Sequence, residues 1–268
     1  MKHYAKMRII IFSALAVLLI LLALFAPYLC PYDPDQQNLN AALQSPGAEH
    51  LLGTDRYGRD MLSRVIMGAQ VSIFATLSLV AIISLIGTAV GICCGYRGGR
   101  LDELLMRLSD ICLAFPGLVF ALAVAAVLNG GVQNAVLALA AISWPKYARL
   151  ARSRTLALSQ QDFIFAAKMA GSSPLQIIYR HILPHISGTM LVTAVLDIGT
   201  MMMEIAALSF LGLGAKPPTA EWGSMMSVGR SMLQTYPWVV FSPGIAIFIT
   251  VTIFNLWGDA LRDYLDPK

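Results

Sequence analysis

Six apolar stretches, each long enough to cross a bilayer, leave this chain few ways to fold. A spanning helix needs roughly 20 mainly apolar residues to cross about 30 Å of hydrocarbon. Residues 9–29, 71–95, 105–128, 132–150, 186–211 and 238–261 meet that length. In lipid the backbone polar groups must be satisfied internally, so the pattern predicts an all-α membrane protein with six transmembrane helices. A competing soluble core is excluded by composition: 57% of residues are hydrophobic and 13% charged, against about 45–50% and about 25% in soluble domains. Trp144-Pro145 interrupts the fourth stretch near one end and predicts a kink or an end to that helix.

Orientation follows from the basic residues, because short basic loops stay in the cytoplasm. With both termini inside, the cytoplasmic face collects Lys2, Lys6, Arg8, Arg97, Arg100, Arg107, Lys146, Arg149, Arg152, Arg154, Lys168, Arg180, Arg262 and Lys268. Only Arg56, Arg59, Arg64, Lys216 and Arg230 remain outside. The net charge of +4 is small and scattered, which excludes a nucleic-acid partner and leaves membrane lipid as the general one. The first stretch reads as an uncleaved signal anchor over 9–29, since Pro27-Tyr28-Leu29-Cys30-Pro31 offers no small-x-small cleavage site. Cys93, Cys94 and Cys112 fall in or beside spans and read as packing residues, with no disulfide framework.

No repeat is visible, so residues 1–268 read as a single transmembrane domain: anchor, extracytoplasmic loop 30–69, and a core over 70–262. Within the loop, Leu62, Val65, Ile66 and Ala69 share one helical face, predicting a short amphipathic helix along the membrane surface. Gly53 and Gly58 have the spacing of a phosphate-binding loop. Arg59 and Asp60 follow where Lys and a hydroxyl are needed, so no nucleotide or magnesium site is expected in this chain.

Between the fourth and fifth stretches, residues 159–184 form a polar segment punctuated by turns. Ser159 and Asp162 resemble a helix-start capping pattern, and Phe163, Ala166, Ala167 and Ala170 then share a small face. Gly171 can end that helix in a left-handed conformation, Ser173-Pro174 can begin a second one over 175–183, and Pro184 marks the departure toward the fifth span. Physics alone leaves two readings open: a rigid lever, or an ordinary loop with incidental helix. His181 and His185, four apart, make at most an incomplete metal site.

Two alanines, three residues, a glycine, nine residues and then x-x-Leu-Pro is the spacing of Ala166, Ala167, Gly171, Leu183 and Pro184. It resembles the cytoplasmic "EAA" loop of ATP-binding-cassette permeases. Leu52-Gly-Thr-Asp-Arg-Tyr-Gly-Arg-Asp60 with Ser63-Arg64 resembles the "LGTDxxGRDxxSR" signature of dipeptide, oligopeptide and nickel permeases. Gly98-Gly-Arg-Leu-Asp102, Met106-Arg107, Asp110, Leu208-Ser-Phe-Leu-Gly-Leu-Gly214, Glu221-Trp222-Gly223, Gly258-Asp-Ala-Leu-Arg-Asp263 and Asp266-Pro267 extend the likeness.

The resemblance implies a type I ABC importer permease (MetI-like) fold with a cytoplasmic coupling helix, in the inner membrane of a prokaryote. It further implies a homologous permease subunit as heterodimer partner, two ABC ATPase subunits that bind ATP and Mg, and an extracytoplasmic solute-binding protein. The chain itself would be non-catalytic and hold no cofactor. ATPase coupling would fall to Ala166, Ala167, Gly171, His181, Leu183 and Pro184. One departure stands out: Phe165 occupies the position of the usual glutamate, implying a more apolar docking face.

The fifth stretch carries Asp197 and Glu204, seven apart and on one helical face, with Met201 between them. Carboxylates at such depth cost roughly 2.5–3.5 kcal/mol on insertion scales. Asp197, Met201, Glu204 and Asn255 of the sixth stretch are therefore candidate pathway residues. Carboxylates tied to neighbouring polar groups for packing are the equally open alternative. Residues 196–202 and 219–223 look closest to the nickel branch, which favours nickel or a nickel chelate slightly over peptides as cargo. An intramembrane protease would need a Ser facing a His inside the membrane, and the four histidines fall near surfaces. A secondary transporter would leave 166–184 unexplained.

Overall fold

The structure, a computed structural model, describes residues 2–265. Asp266, Pro267 and Lys268, named above, lie outside them. The chain runs through α1 (Lys2–Leu24), the single turn α2 (Ala26–Leu29), α3 (Met61–Arg97), α4 (Gly99–Ala114), α5 (Gly117–Val127) and α6 (Val132–Ser159). It continues through α7 (Asp162–Met169), α8 (Pro174–Ile177), α9 (Leu183–Phe210), α10 (Trp222–Gly229) and α11 (Trp238–Leu265). No β-strand occurs among the described residues.

Among the described residues four helical segments are long and apolar enough to span: 6–24 of α1, α3, the run from Pro174 to Phe210, and α11. α4 and α5 make a fifth if taken together, although they meet at 92°. The stretch expected as one helix over 105–128 is thus broken in two. The residue before a proline avoids the helical region: Phe115 is extended (φ −93°, ψ 143°) and Pro116 becomes the N-cap of α5.

Two further expectations need correction. Residues 61–69 form no separate surface helix. They are the first turns of α3, whose 37 residues extend about 55 Å at roughly 1.5 Å per residue. Trp222 covers them, close enough to Gly68 that a Cβ there would lie 2.9 Å from its ring. Of the kink or end expected at Pro145, the end does not occur, since α6 continues to Ser159.

α3 and α6 pack along one another because α3 presents glycine at every fourth position. A Cβ on Gly87 would lie 2.5 Å from the Trp144 carbonyl, and one on Gly95 would lie 2.8 Å from that of Arg152; Gly91 meets Ala148 and Ala151 between them. Small residues at this spacing let two backbones approach closely, a recurrent route to helix association in lipid. α1 rests on α11, where Trp257 Nε1 donates to Ser13 Oγ (2.9 Å) and Arg8 pairs with Asp263 (2.9 Å).

At one end of the bundle, residues 30–60 fold into a cap. Asp55 Oδ1 accepts from the Tyr57 and Arg59 amides, and Arg59 Nε donates to Asp55 Oδ2 (2.7 Å). Arg64 reaches across to the Pro34 carbonyl, Asp35 and the Pro218 carbonyl. Asp60 caps α3 through the Ser63 amide (2.7 Å) while its other oxygen meets His50 (2.9 Å). Gly58, at φ +69°, is pressed so closely on the Asn38 carbonyl that no side chain fits. The glycines that matched a phosphate loop by spacing are therefore turn and packing positions.

Candidate functional site

Residues 160–182 close the opposite end of the bundle. Gln161 precedes α7 without a side-chain cap, so Ser159 does not cap it as expected; Ser159 ends α6 instead. Gly171 adopts φ +81°, and a full capping box follows: Ser173 Oγ accepts from the Gln176 amide while Gln176 Oε1 accepts from the Ser173 amide. Two short helices are thereby fixed around a glycine turn. The second does not depart at Pro184. α8 passes through a π-helical turn, Ile178–Ile182, straight into α9. Pro184 lacks an N–H and its ring crowds the carbonyl four residues back; a turn widened to five-residue spacing, with Leu183 N donating to the Ile178 carbonyl, accommodates both.

Ile164, Ile177, Ile182 and Ile186 anchor this segment in the core, with Ala167 and Leu183 packed beside them. Ala166, Ala170 and Gly171 face outward, as do Phe165, Met169 (90% exposed), Leu175 and Tyr179 (each 67%). The small face expected of Phe163, Ala166, Ala167 and Ala170 is therefore divided: Ala167 turns inward and the others out. Phe163 stacks on His185 (5.3 Å between ring centres, 19°) and lies 6.1 Å from His181. His185 Nδ1 donates to the His181 carbonyl (2.5 Å), which occupies one ring nitrogen of that pair. Among the described residues no three His, Cys, Asp or Glu gather into a metal site.

Inside the bundle, Asp197 and Glu204 have different surroundings. Asp197 is buried and accepts a hydrogen bond from the Tyr147 hydroxyl (2.7 Å), and Lys146 Nζ pairs with the same oxygen. Glu204 is half-buried and opens with Met201, Thr200, Ser143 and Lys146 onto a cleft beside the α4–α5 break. Among the described residues, Asn255 pairs with neither carboxylate; it is exposed, and its amide lies where a Cβ on Gly199 would be. Sequence reasoning missed Lys146 as a partner because it was counted among the loop residues.

Lys146 belongs to a series. Arg149 pairs with Asp110 of α4, and Arg152 grips Asp102 with two bonds of 2.6 Å. The three bases recur every third residue along α6 and each meets an acid on a neighbouring helix. The basic i, i+3 spacing set against Asp102 and Asp110 was the available signal.

A family model described as "Binding-protein-dependent transport system inner membrane component" matches residues 87–268, and one described as "N-terminal TM domain of oligopeptide transport permease C" matches residues 9–46. The "Glutathione transport system permease protein GsiD" of Escherichia coli O6:K15:H31 (strain 536 / UPEC) is 44% identical over 272 residues, covering 100% of this chain and 89% of that protein. Its counterpart in Shigella boydii serotype 4 (strain Sb227) is 44% identical over the same shares. Among solved structures, "Inward facing conformations of the MetNI methionine ABC transporter", in its CY5 SeMet soak crystal form, aligns with a TM-score of 0.61 at 19% identity, over 76% of this chain and 97% of that one. Its CY5 native form gives 0.57 at 18%. The structural likeness carries the type I importer fold, and the sequence likeness carries the family. On both, the chain belongs to the binding-protein-dependent transport system inner membrane components, as a non-catalytic, multi-pass permease subunit of an ABC importer.

Proposed function

We propose that this subunit, paired with a homologous permease chain, forms the pathway by which a small peptide of the glutathione class enters the cell, driven by separate ATPases that dock on residues 162–182. The observation that carries the coupling role is continuity. Leu175 and Tyr179 of the exposed apolar apex lie on one unbroken helical run, Pro174 to Phe210, with Asp197, Met201 and Glu204, and Phe165 and Met169 join that run through the Gly171 turn. A push on Ala166, Ala167 or Gly171 from an ATPase therefore moves α9 as a rod. His181, Leu183 and Pro184 form the stiff joint at its base. An apolar apex also suits Phe165 in place of the usual glutamate.

In this reading α6 is the fourth of six spans, its charges offset by Asp197, Asp110 and Asp102, and both termini share the cytoplasmic face with the basic loops. A binding protein delivers cargo to the cap formed by 30–60 and its neighbours at 211–237. Met201 and Glu204 face the pathway. Asp197 positions Lys146 beside them, and Asn255 stands next to Gly199 as a further pathway candidate. The peptide assignment rests on GsiD relatives that are 44% identical along the whole chain.

Nickel or a nickel chelate is the second reading, favoured by residues 196–202 and 219–223. Thioethers such as Met201 suit soft metals, whereas nickel(II) more often takes nitrogen and oxygen. The assembled importer in proteoliposomes, supplied with ATP and its loaded binding protein, decides between them. ATP-dependent uptake of radiolabelled glutathione without nickel uptake supports the peptide reading, and the reverse result overturns it.

A further inference from the structure

The two carboxylates of α9 are not equivalent, and the difference points to a ligand. Asp197 is satisfied within the protein by the Tyr147 hydroxyl and the Lys146 ammonium. Glu204, nearly two turns along the same face, opens onto a cleft with about 180 Å³ of free volume, shared with Cys112, Ser143, Lys146, Thr200 and Met201. Among the described residues no ion pair reaches Glu204. Lys146 is paired with Asp197, so the Glu204 carboxyl has no ion-pair partner of its own among the described residues.

The α4–α5 break lies at the same place, since Phe115 and Gly117 on its two sides also line the cleft. Non-helical backbone at membrane depth is tolerated where it is buried in protein or lines a water-filled cavity. Intramembrane carboxylates likewise face partners or watery paths. Broken helix, cavity and unpaired carboxylate therefore coincide, with the Ser143 and Thr200 hydroxyls as the neutral polar groups around them.

We propose that Glu204 receives the ammonium group of the cargo peptide as it passes through the membrane, with Ser143 and Thr200 flanking it. This rests on the reading of the cargo as a small peptide. A primary ammonium carries three donors and one charge, which matches one carboxylate and two hydroxyls. A divalent metal suits the site less, because the Lys146 ammonium lines the same small space and opposes a second positive charge.

Cys112 is a native reporter of the cleft. The test uses the importer reconstituted with its ATPases and binding protein, carrying Cys30→Ser, Cys93→Ala and Cys94→Ala so that Cys112 is the sole thiol of this chain. Its labelling by a water-soluble maleimide is followed with S-methylglutathione or with N-acetyl-S-methylglutathione as the ligand. The free amine should protect Cys112 about tenfold better than the acetylated peptide, the size expected for one charge-assisted hydrogen bond. Glu204→Gln should erase that preference and Glu204→Asp retain part of it.

If the triple cysteine replacement assembles poorly, the uptake ratio of the two peptides in the cysteine-intact importer gives the same comparison, at saturating loaded binding protein. Equal protection by both peptides, or a preference that survives Glu204→Gln, overturns the inference while leaving the peptide reading intact. Uptake of S-methylglutathione with no protection of Cys112 also overturns it. Failure to transport either peptide, with Cys112 protected by nickel instead, overturns the peptide reading and this inference with it.

Discussion

The two ends of the bundle solve opposite problems. At the end carrying 30–60, charged side chains are buried and paired inside the chain: Asp55, Arg59, Asp60 and Arg64 are all at most 6% exposed. At the end carrying 160–182, apolar side chains that a finished surface would cover stand in the open, from Phe165 to Tyr179. The cap satisfies its buried charges within the chain and exposes apolar side chains singly, at Tyr32, Leu39 and Leu51, whereas the opposite end, which we propose is half of an interface, exposes them together. Exposed hydrophobic groups clustered at one place mark interaction sites more reliably than scattered ones do. Substitutions should accordingly harm the first end through stability and the second through assembly.

The largest effect is expected at the cap. Asp55→Ala leaves Arg59 buried without its main partner and deprives the Arg59 and Tyr57 amides of an acceptor. Removing one member of a buried pair costs about 3–5 kcal/mol. Thermal unfolding of the detergent-solubilised chain should show a large drop in midpoint and a low yield of folded protein. A midpoint within error of the parent would mean the cap is solvated and the comparison is wrong.

Much of this contrast was readable beforehand, and the unreadable part has a physical cause. Apolar length found α1, α3, α9 and α11, because crossing a membrane depends on a local run of residues. The Ala166, Gly171 and Ser173 punctuation gave two short helices, because glycine in a left-handed turn and a capping box are local chemistry. What failed was non-local. Lys146, Arg149 and Arg152 looked like loop charges until their acids on α4 and α9 were brought alongside. Pro145 looked like a kink or an end and Pro184 like a helix end, yet α6 runs on through the first and a π turn absorbs the second. The break at Phe115-Pro116 lay hidden because an apolar run says nothing about direction; Pro116-Gly117 was the only cue.

The next effect in size falls on the lever. Gly171→Leu forces a branched residue to φ +81°, a left-handed conformation that costs about 1–2 kcal/mol. A Cβ there meets nothing within 4 Å, so no clash adds to that strain. The permease should insert and unfold near the parent temperature, yet lose most cargo-stimulated ATPase activity in the assembled importer. Undiminished stimulation would remove residues 162–182 from the coupling path.

The smallest change in stability should accompany the most selective change in assembly. Phe165 is half-exposed, and the Lys168 Nζ lies 5.4 Å from its ring centre. Phe165→Glu places a carboxylate three residues before Lys168, where such a pair contributes about 0.2–0.5 kcal/mol to a helix. The isolated permease should therefore keep its unfolding temperature. Against the ATPase the same change puts a charge into the proposed contact, which Met169, Leu175 and Tyr179 make apolar, and desolvating that charge opposes docking. Co-purification of the ATPase should weaken while the permease stays folded. Stronger co-purification would mean that the motor subunit still offers a cation at this position, and that the apolar apex is not what it grips.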